Sequence, residues 1–208
     1  MERELNKGLL QRSSRMRIIA GALKGRILAP VKGRTRPTAA KVREAIFNIL
    51  GSAVLEVMVL DLFAGTGALG IEALSRGAAQ AVFVEDQPAA LKVLRRNLET
   101  LALQDLSLVL PLPVAAALKK LAAKGARFSL VFLDPPYGDG AAATLAALGA
   151  SGLLRPQARV VAEHSRRETL PEASLGLVRQ ILRRYGDTQV AIYRALDNSE
   201  SKERQADA

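Results

Sequence analysis

From residue 57 onward the chain alternates short apolar runs with Ala/Leu-rich stretches of helical spacing, and few folds accept that pattern. The runs span 57–62, 81–85, 107–110, 129–133, 158–162 and 189–195, and the helical stretches between them span 68–76, 88–101, 114–123 and 141–148. Strands apolar on both faces and separated by helices predict a parallel sheet covered on both sides, an α/β doubly wound architecture. Residues 181–193, around Tyr185-Gly186-Asp187, read as a closing hairpin. A chain of 208 residues, 49% hydrophobic, is large enough for one core in one domain.

Charge divides the chain unevenly. Residues 1–50 hold 12 Lys/Arg against Glu2, Glu4 and Glu44, a net of +9, whereas residues 51–208 hold 18 basic and 17 acidic side chains, a net of +1. This predicts a basic N-terminal extension on a neutral domain, with a polyanion as partner. The expected divisions are a disordered polar start (1–15), a basic hairpin and helix (16–50), the main domain (51–196) and a polar tail (197–208). Within the second part, residues 16–28 suggest a small hairpin, 29–37 a Pro/Gly/Arg loop, and Thr38 the cap of a helix. That helix has the stripe Val42, Ala45, Ile46, Ile49 and Leu50, and Gly51 ends it. Arg34, Arg36, Lys41 and Arg43 are spaced so that loop and helix start could turn one positive face to phosphates.

Other classes are disfavoured by what is missing. There is no cysteine, which excludes disulfides, thiolate metal sites and a cysteine nucleophile. The single histidine, His164, makes a His-based metal site or a Ser-His-Asp relay improbable, and no metal is expected. No uncharged apolar stretch reaches the ~18 residues of a membrane span, and the first ten residues are too polar for a secretory signal, so a cytoplasmic protein without membrane contact is expected.

Two motifs carry chemistry. Gly65, Gly67 and Gly70 fit G-x-G-x-x-G between a strand and a helix, a pattern that lets backbone amides of a helix N-terminus face a ligand. Glu85 ends the next strand 18 residues after Gly67, where a carboxylate can accept both hydroxyls of a ribose. An adenosine cofactor follows from this, without a choice between a dinucleotide and S-adenosylmethionine. Asp61, just ahead of the loop, favours the second, because a carboxylate repels pyrophosphate and attracts an ammonium and a sulfonium; the same side chain can also cap the turn by accepting backbone amides.

The other motif is Asp134-Pro135-Pro136-Tyr137, directly after the fourth strand and therefore expected in the same crevice as the glycine loop. The prolines have no N–H, so the segment offers the Asp134 carboxylate and the Pro135 carbonyl without competing donors. Two acceptors gripping an exocyclic amine would turn its lone pair toward a methyl carbon, while Tyr137 stacks on the base.

The combination of Arg36-Pro37-Thr38, Val42-Arg43-Glu44-Ala45-Ile46-Phe47-Asn48, the Asp61–Ala73 stretch and Asp134–Tyr137 resembles the RsmD-type bacterial methyltransferases, which modify N2 of one guanine in 16S ribosomal RNA. The resemblance runs from about Met16 to Leu196. It implies a Rossmann-like, mostly parallel sheet of seven strands with a small basic N-terminal extension. It also implies S-adenosylmethionine contacts at Phe63, Ala64, Gly65, Gly67 and Glu85, and a guanine amine held by Asp134, Pro135 and Tyr137. Arg36, Thr38, Lys41 and Arg43 would then lie near the RNA or the cofactor pocket. Two departures stand out: Leu110-Pro111-Leu112-Pro113-Val114 lacks the small polar or acidic residue the family usually sets against the adenine, and Lys41 stands where Arg is common.

The expected activity is methyl transfer to a guanine N2 amine of 16S ribosomal RNA, free or within an assembling small subunit, by a monomer. The alternatives are a DNA adenine-N6 or other nucleic-acid amino-methyltransferase, a binding protein with a vestigial pocket, and an NAD(P)-dependent oxidoreductase. The first lacks room for a target-recognition domain. The intact glycines and Asp134 argue against the second, and the last leaves Asp134–Tyr137 unexplained.

Overall fold

Val59 and Asp61 point to one side of their strand while Leu60 and Leu62 point to the other, and this period of two builds a sheet with a core on each face. The computed structural model describes residues 16–31, 40–136 and 140–197. Its strands are β1 (Met58–Leu62), β2 (Gln80–Val84), β3 (Ser107–Leu110), β4 (Phe128–Leu133), β5 (Leu154–Ser165), β6 (Ala173–Ser174), β7 (Leu177–Tyr185) and β8 (Thr188–Ala195). The helices are α1 (Ala40–Leu50), α2 (Ala68–Ser75), α3 (Pro88–Thr100), α4 (Val114–Ala123) and α5 (Ala141–Ala150).

All eight strands form one sheet in the order β3-β2-β1-β4-β5-β8-β7-β6. The first five are parallel to one another, and β5·β8, β8·β7 and β7·β6 pair antiparallel. The expectation of a mostly parallel sheet of seven strands is therefore corrected to a mixed sheet of eight among the described residues. The excess comes from β6, two residues long, and the irregularity was hidden because β7 (LVRQILRRY) has few buried positions and no two-sided apolar run. The other expected elements recur with bounds shifted by a residue or two, except β5, which begins four residues earlier and runs through a register shift opposite Phe128/Leu130, and the closing hairpin, whose first strand also begins four residues earlier, at Leu177.

One face of the sheet packs α4 and α5 through Ala117, Leu118, Leu121, Leu145 and Leu148. The opposite face packs α1, α2 and α3, together with Ile18 and Leu28. The 16–28 segment forms the small hairpin expected, closed by Ile18 N–H to Arg26 O at 3.0 Å and Leu28 N–H to Met16 O at 2.9 Å. It lies hard against the end of α2. Ala22 N–H donates to Ser75 O at 2.7 Å, and a Cβ on Gly21 (φ +83°) would fall 1.8 Å from that same oxygen. Only glycine fits there.

The hairpin and α1 also share a buried charge cluster. Glu72 of α2 accepts Ile19 N–H at 2.8 Å, Ala20 N–H at 3.0 Å and Arg76 Nε–H at 2.8 Å. Arg43 of α1 lies 3.6 Å from the same carboxylate and donates to Arg17 O. Arg76 in turn covers the ring of Phe47 at 4.7 Å. The pairs 43/72 and 47/76 show that α1 and α2 run side by side in the same direction. The start of α1 therefore stands at the glycine-loop end of α2.

Candidate active site

Because side chains alternate along each strand, the residue two places beyond a core residue shares its face. Four parallel strands use this in the same way. On the face toward α1 and α2, Val59 is followed by Asp61, Phe83 by Glu85, Phe132 by Asp134 and Val161 by Glu163. β1 pairs with β4 through Leu62↔Leu133, and β4 with β5 through Leu133↔Ala162, so Asp134 emerges beside both the glycine loop and Glu163. A band of carboxylates lines the carboxyl ends of the strands, where open α/β sheets bind ligands. The charge of Asp134 is felt at Asp61, which places the two in one site.

The glycine loop differs from its expected use in an instructive way. Gly65 N–H donates to Glu85 Oε2 at 2.8 Å, Gly70 N–H to Asp61 Oδ2 at 2.9 Å, and Gly67 N–H to Ala64 O at 2.7 Å. The amides expected to face a ligand are engaged by the protein's own oxygens. A loop whose amides are already held by two carboxylates is a poor pyrophosphate cradle and a good cation cradle. Gly70 is fixed by space as well: a Cβ there would sit 2.3 Å from Cε1 of the buried Phe83 ring and 3.1 Å from Asp61 Oδ2.

Glu85 also accepts Asp86 N–H at 3.1 Å and Gln87 N–H at 2.9 Å, both on its Oε1. A carboxylate offers about four acceptor positions. A ribose would therefore share Glu85 with three backbone amides. Phe63 enters the loop with φ +61°, a strained value for a bulky side chain, and Ala64 N–H is tied to Val84 O at 2.9 Å. The loop is held rigidly from both sides. Asn97 of α3 completes this by donating to Thr66 O at 3.0 Å while accepting Ala29 N–H at 2.8 Å. Asn97 passed unnoticed in the sequence, where an amide on a helix carries no signal of its partners.

Burial lifts the Asp61 carboxyl from 3.8 to about 7, the Gly70 amide opposing the rise and the charges of Asp134 and Glu85 adding to it. Between about pH 4 and pH 7 the folded chain holds a proton that the unfolded chain has released, so stability falls as pH rises through that window. Asp61→Asn keeps an acceptor for Gly70 and removes the buried charge. Urea titrations at pH 5 and pH 8 should show the wild type losing about 2–4 kcal/mol relative to this variant. Parallel pH curves for the two proteins would refute the raised pKa.

The remaining expected residues fall in different places. Pro135 is half-buried beside Asp134. Tyr137, Arg34, Arg36 and Thr38 lie outside the described residues. Lys41 is exposed in the first turn of α1, at the glycine-loop end. Arg43 requires a correction: expected to face phosphate, it is 1% exposed, with its guanidinium toward Glu72 and Arg17 O. The sequence did hold that signal, since Arg43, Phe47 and Leu50 stand at i, i+4 and i+7 on one helical face. Glu163, next to His164 near the end of β5, stands beside Asp134. His164 faces the other way and is buried, its Nδ1 near Ser165 O at 3.0 Å.

Residues 16–194 match the family model described as Conserved hypothetical protein 95, and a Bacillus subtilis protein named "Putative rRNA methyltransferase YlbH" is 42% identical over 86% of this chain and 98% of the relative. "Ribosomal RNA small subunit methyltransferase D" of Escherichia coli K12 is 38% identical over 76% of this chain and 79% of its own length. The chain belongs to the RsmD-type family. Among solved structures, "Putative methyltransferase yhhF from Escherichia coli" is 34% identical, covers 88% of this chain and 99% of its own, and superposes with a TM-score of 0.78. The RsmD-type match includes the hairpin, α1 and the antiparallel strands as well as the parallel core. The elements that hold Glu72 and Asn97 thus fall inside the family's span.

Proposed function

We propose that this enzyme transfers a methyl group from S-adenosylmethionine to the exocyclic N2 amine of a guanine in 16S ribosomal RNA. The coarser activity, methyl transfer to ribosomal RNA, comes with membership of the family. The observation that carries the cofactor is the glycine loop with its amides on Asp61 and Glu85, which suits a positively charged adenosine ligand and not a dinucleotide. Asp61, Phe63, Ala64, Gly65, Gly67 and Glu85 would hold S-adenosylmethionine, which when bound supplies a methyl carbon activated by its sulfonium.

The rest belongs to the chain. Asp134 and the Pro135 carbonyl accept the two hydrogens of the amine, draw its lone pair out of the ring plane and aim it at the methyl carbon. As the new N–C bond forms and the methyl–sulfur bond breaks, its electron pair staying on sulfur, the nitrogen would turn positive opposite the Asp134 carboxylate, which stabilises the transition state more than the ground state. The surplus proton leaves through Asp134 or directly to water. Tyr137 stacks on the unstacked base, and Arg34, Arg36, Thr38 and Lys41 meet RNA at the loop and the start of α1. The substrate fits an assembling small subunit in the cytoplasm, with the enzyme acting as a monomer. Among the described residues no helix is long and apolar enough to cross a membrane.

Calorimetry with S-adenosylhomocysteine and NADH tests the cofactor, and mass spectrometry of 16S ribosomal RNA from cells with and without the protein tests the product. S-adenosylhomocysteine should bind, more tightly at pH 8 than at pH 6, and one N2-methylguanine should disappear from the RNA of deleted cells. Preference for NADH, or an unchanged RNA methylation pattern, would overturn this reading.

A further inference from the structure

Two Arg-Arg pairs far apart in sequence meet at the catalytic end of the sheet. β1, β4 and β5 are parallel, so the turn after Ser165 lies at the same end as the glycine loop and Asp134. β8 starts and β7 ends at that same end, through the pairs Ser165↔Thr188 and Tyr185↔Thr188. The turn after β5 carries Arg166 and Arg167, and the end of β7 carries Arg183 and Arg184. All four are exposed, and the structure gives none of them a carboxylate partner among the described residues.

Their backbones are fixed to one another. Arg166 N–H donates to Asp187 O at 2.9 Å, joining the turn to the hairpin tip, and Arg167 N–H donates to Ser165 Oγ at 3.2 Å. Arg183 lies between Ile181 and Tyr185, which pack on the core of the face that carries Asp134, so it leans to the catalytic side. The nearby carboxylates are the exposed Asp187 and the half-buried Glu168, and neither offsets four guanidinium groups. A fifth arginine, Arg179, is occupied by Glu172 at 2.9 Å and Leu170 O at 2.8 Å. Arg166 and Arg167 follow a strand one step of ~4.8 Å from β4, and Arg183 and Arg184 lie three steps, about 14 Å, away. RNA that delivers an unstacked base to Asp134 must run its neighbouring phosphates across such a distance. Arginine forks suit those phosphates in bidentate pairs.

We propose that the turn after β5 and the β7–β8 tip form an RNA-backbone-binding ridge beside the catalytic corner. This rests on the reading of the enzyme as an RNA methyltransferase and adds a substrate surface outside the basic first fifty residues. The net charge of +1 over residues 51–208 had concealed it, because the cluster exists only once β5, β8 and β7 pair.

The test compares two proteins that each lose four positive charges. One is Arg166→Gln/Arg167→Gln/Arg183→Gln/Arg184→Gln. The other is Lys119→Gln/Lys120→Gln/Lys124→Gln/Arg127→Gln, exposed positions near the end of α4 and the start of β4, at the opposite end of the sheet. With a 16S RNA fragment, the first should raise KM about tenfold or more and make the slope of log affinity against log salt shallower by about 2–3, at ~0.7 for each phosphate no longer neutralised. Its affinity for S-adenosylhomocysteine should match the wild type, and the second protein should bind RNA nearly as the wild type does. Equal weakening in both proteins, or an unchanged KM and slope in the first, would overturn the ridge while leaving the methyltransferase reading intact. A wild type that neither binds nor methylates the RNA would overturn both.

Discussion

Asp134→Asn should lower the single-turnover rate of methyl transfer by about 10²–10³ while leaving the affinity for RNA and for S-adenosylhomocysteine within a few-fold of the wild type. Asn preserves the size of the side chain and one acceptor oxygen. It removes the negative charge that faces a nitrogen becoming positive, and it cannot take the surplus proton. The loss therefore falls on the chemical step rather than on binding. A second readout follows from the site's electrostatics. Asp134 is one of the charges that raise Asp61, so the variant's Asp61-linked loss of stability should be smaller and complete at a lower pH. Rapid-quench kinetics with enzyme in excess over RNA would measure the first effect. A variant that methylates at the wild-type rate would remove Asp134 from the mechanism.

Arg43→Met should cost about 2–4 kcal/mol of stability and leave RNA affinity per folded molecule unchanged. Arg43 and Glu72 are 1% and 0% exposed. Burial pulls the guanidinium pKa below its usual value, with Glu72 opposing that pull. Removing Arg43 leaves Glu72 with two backbone amides and Arg76 Nε–H at 2.8 Å, so part of its compensation survives and the loss stays below that of a fully orphaned charge. Chemical denaturation of Arg43→Met, Glu72→Gln and the double variant should give a coupling of at least about 1 kcal/mol. Unchanged stability together with weakened RNA binding would return Arg43 to the interface.

The parallel half of the sheet was legible because its signal is local. Runs such as 129–133 are apolar on both faces, and the helices between them keep their spacing. The glycine loop and Asp134 were legible for the same reason, since each motif is contiguous. What escaped depends on residues that meet only in three dimensions. β7 presents Arg179, Gln180, Arg183 and Arg184 among its apolar positions, so the hairpin read over 181–193 missed the first four residues of that strand. Asp61 was legible as a cap for backbone amides of the turn, and it holds Gly70, but the amide of Gly65 looks available in a linear pattern and only the inward turn of Glu85 shows that it is not. Arg43 was counted by its charge when its spacing from Phe47 and Leu50 already placed it inside.

Glu72 binds its neighbours without regard to where the chain would seem to divide. Ile18, Leu28, Val42, Ile46, Phe47 and Leu50 pack in one cluster with Val59, Phe83 and Phe132, and Glu72 takes its amides from Ile19 and Ala20. Swapping the first fifty residues between two relatives would therefore transplant interior rather than a detachable handle. A graft of that kind succeeds only if the hosts agree on the partners of a single sequestered carboxylate.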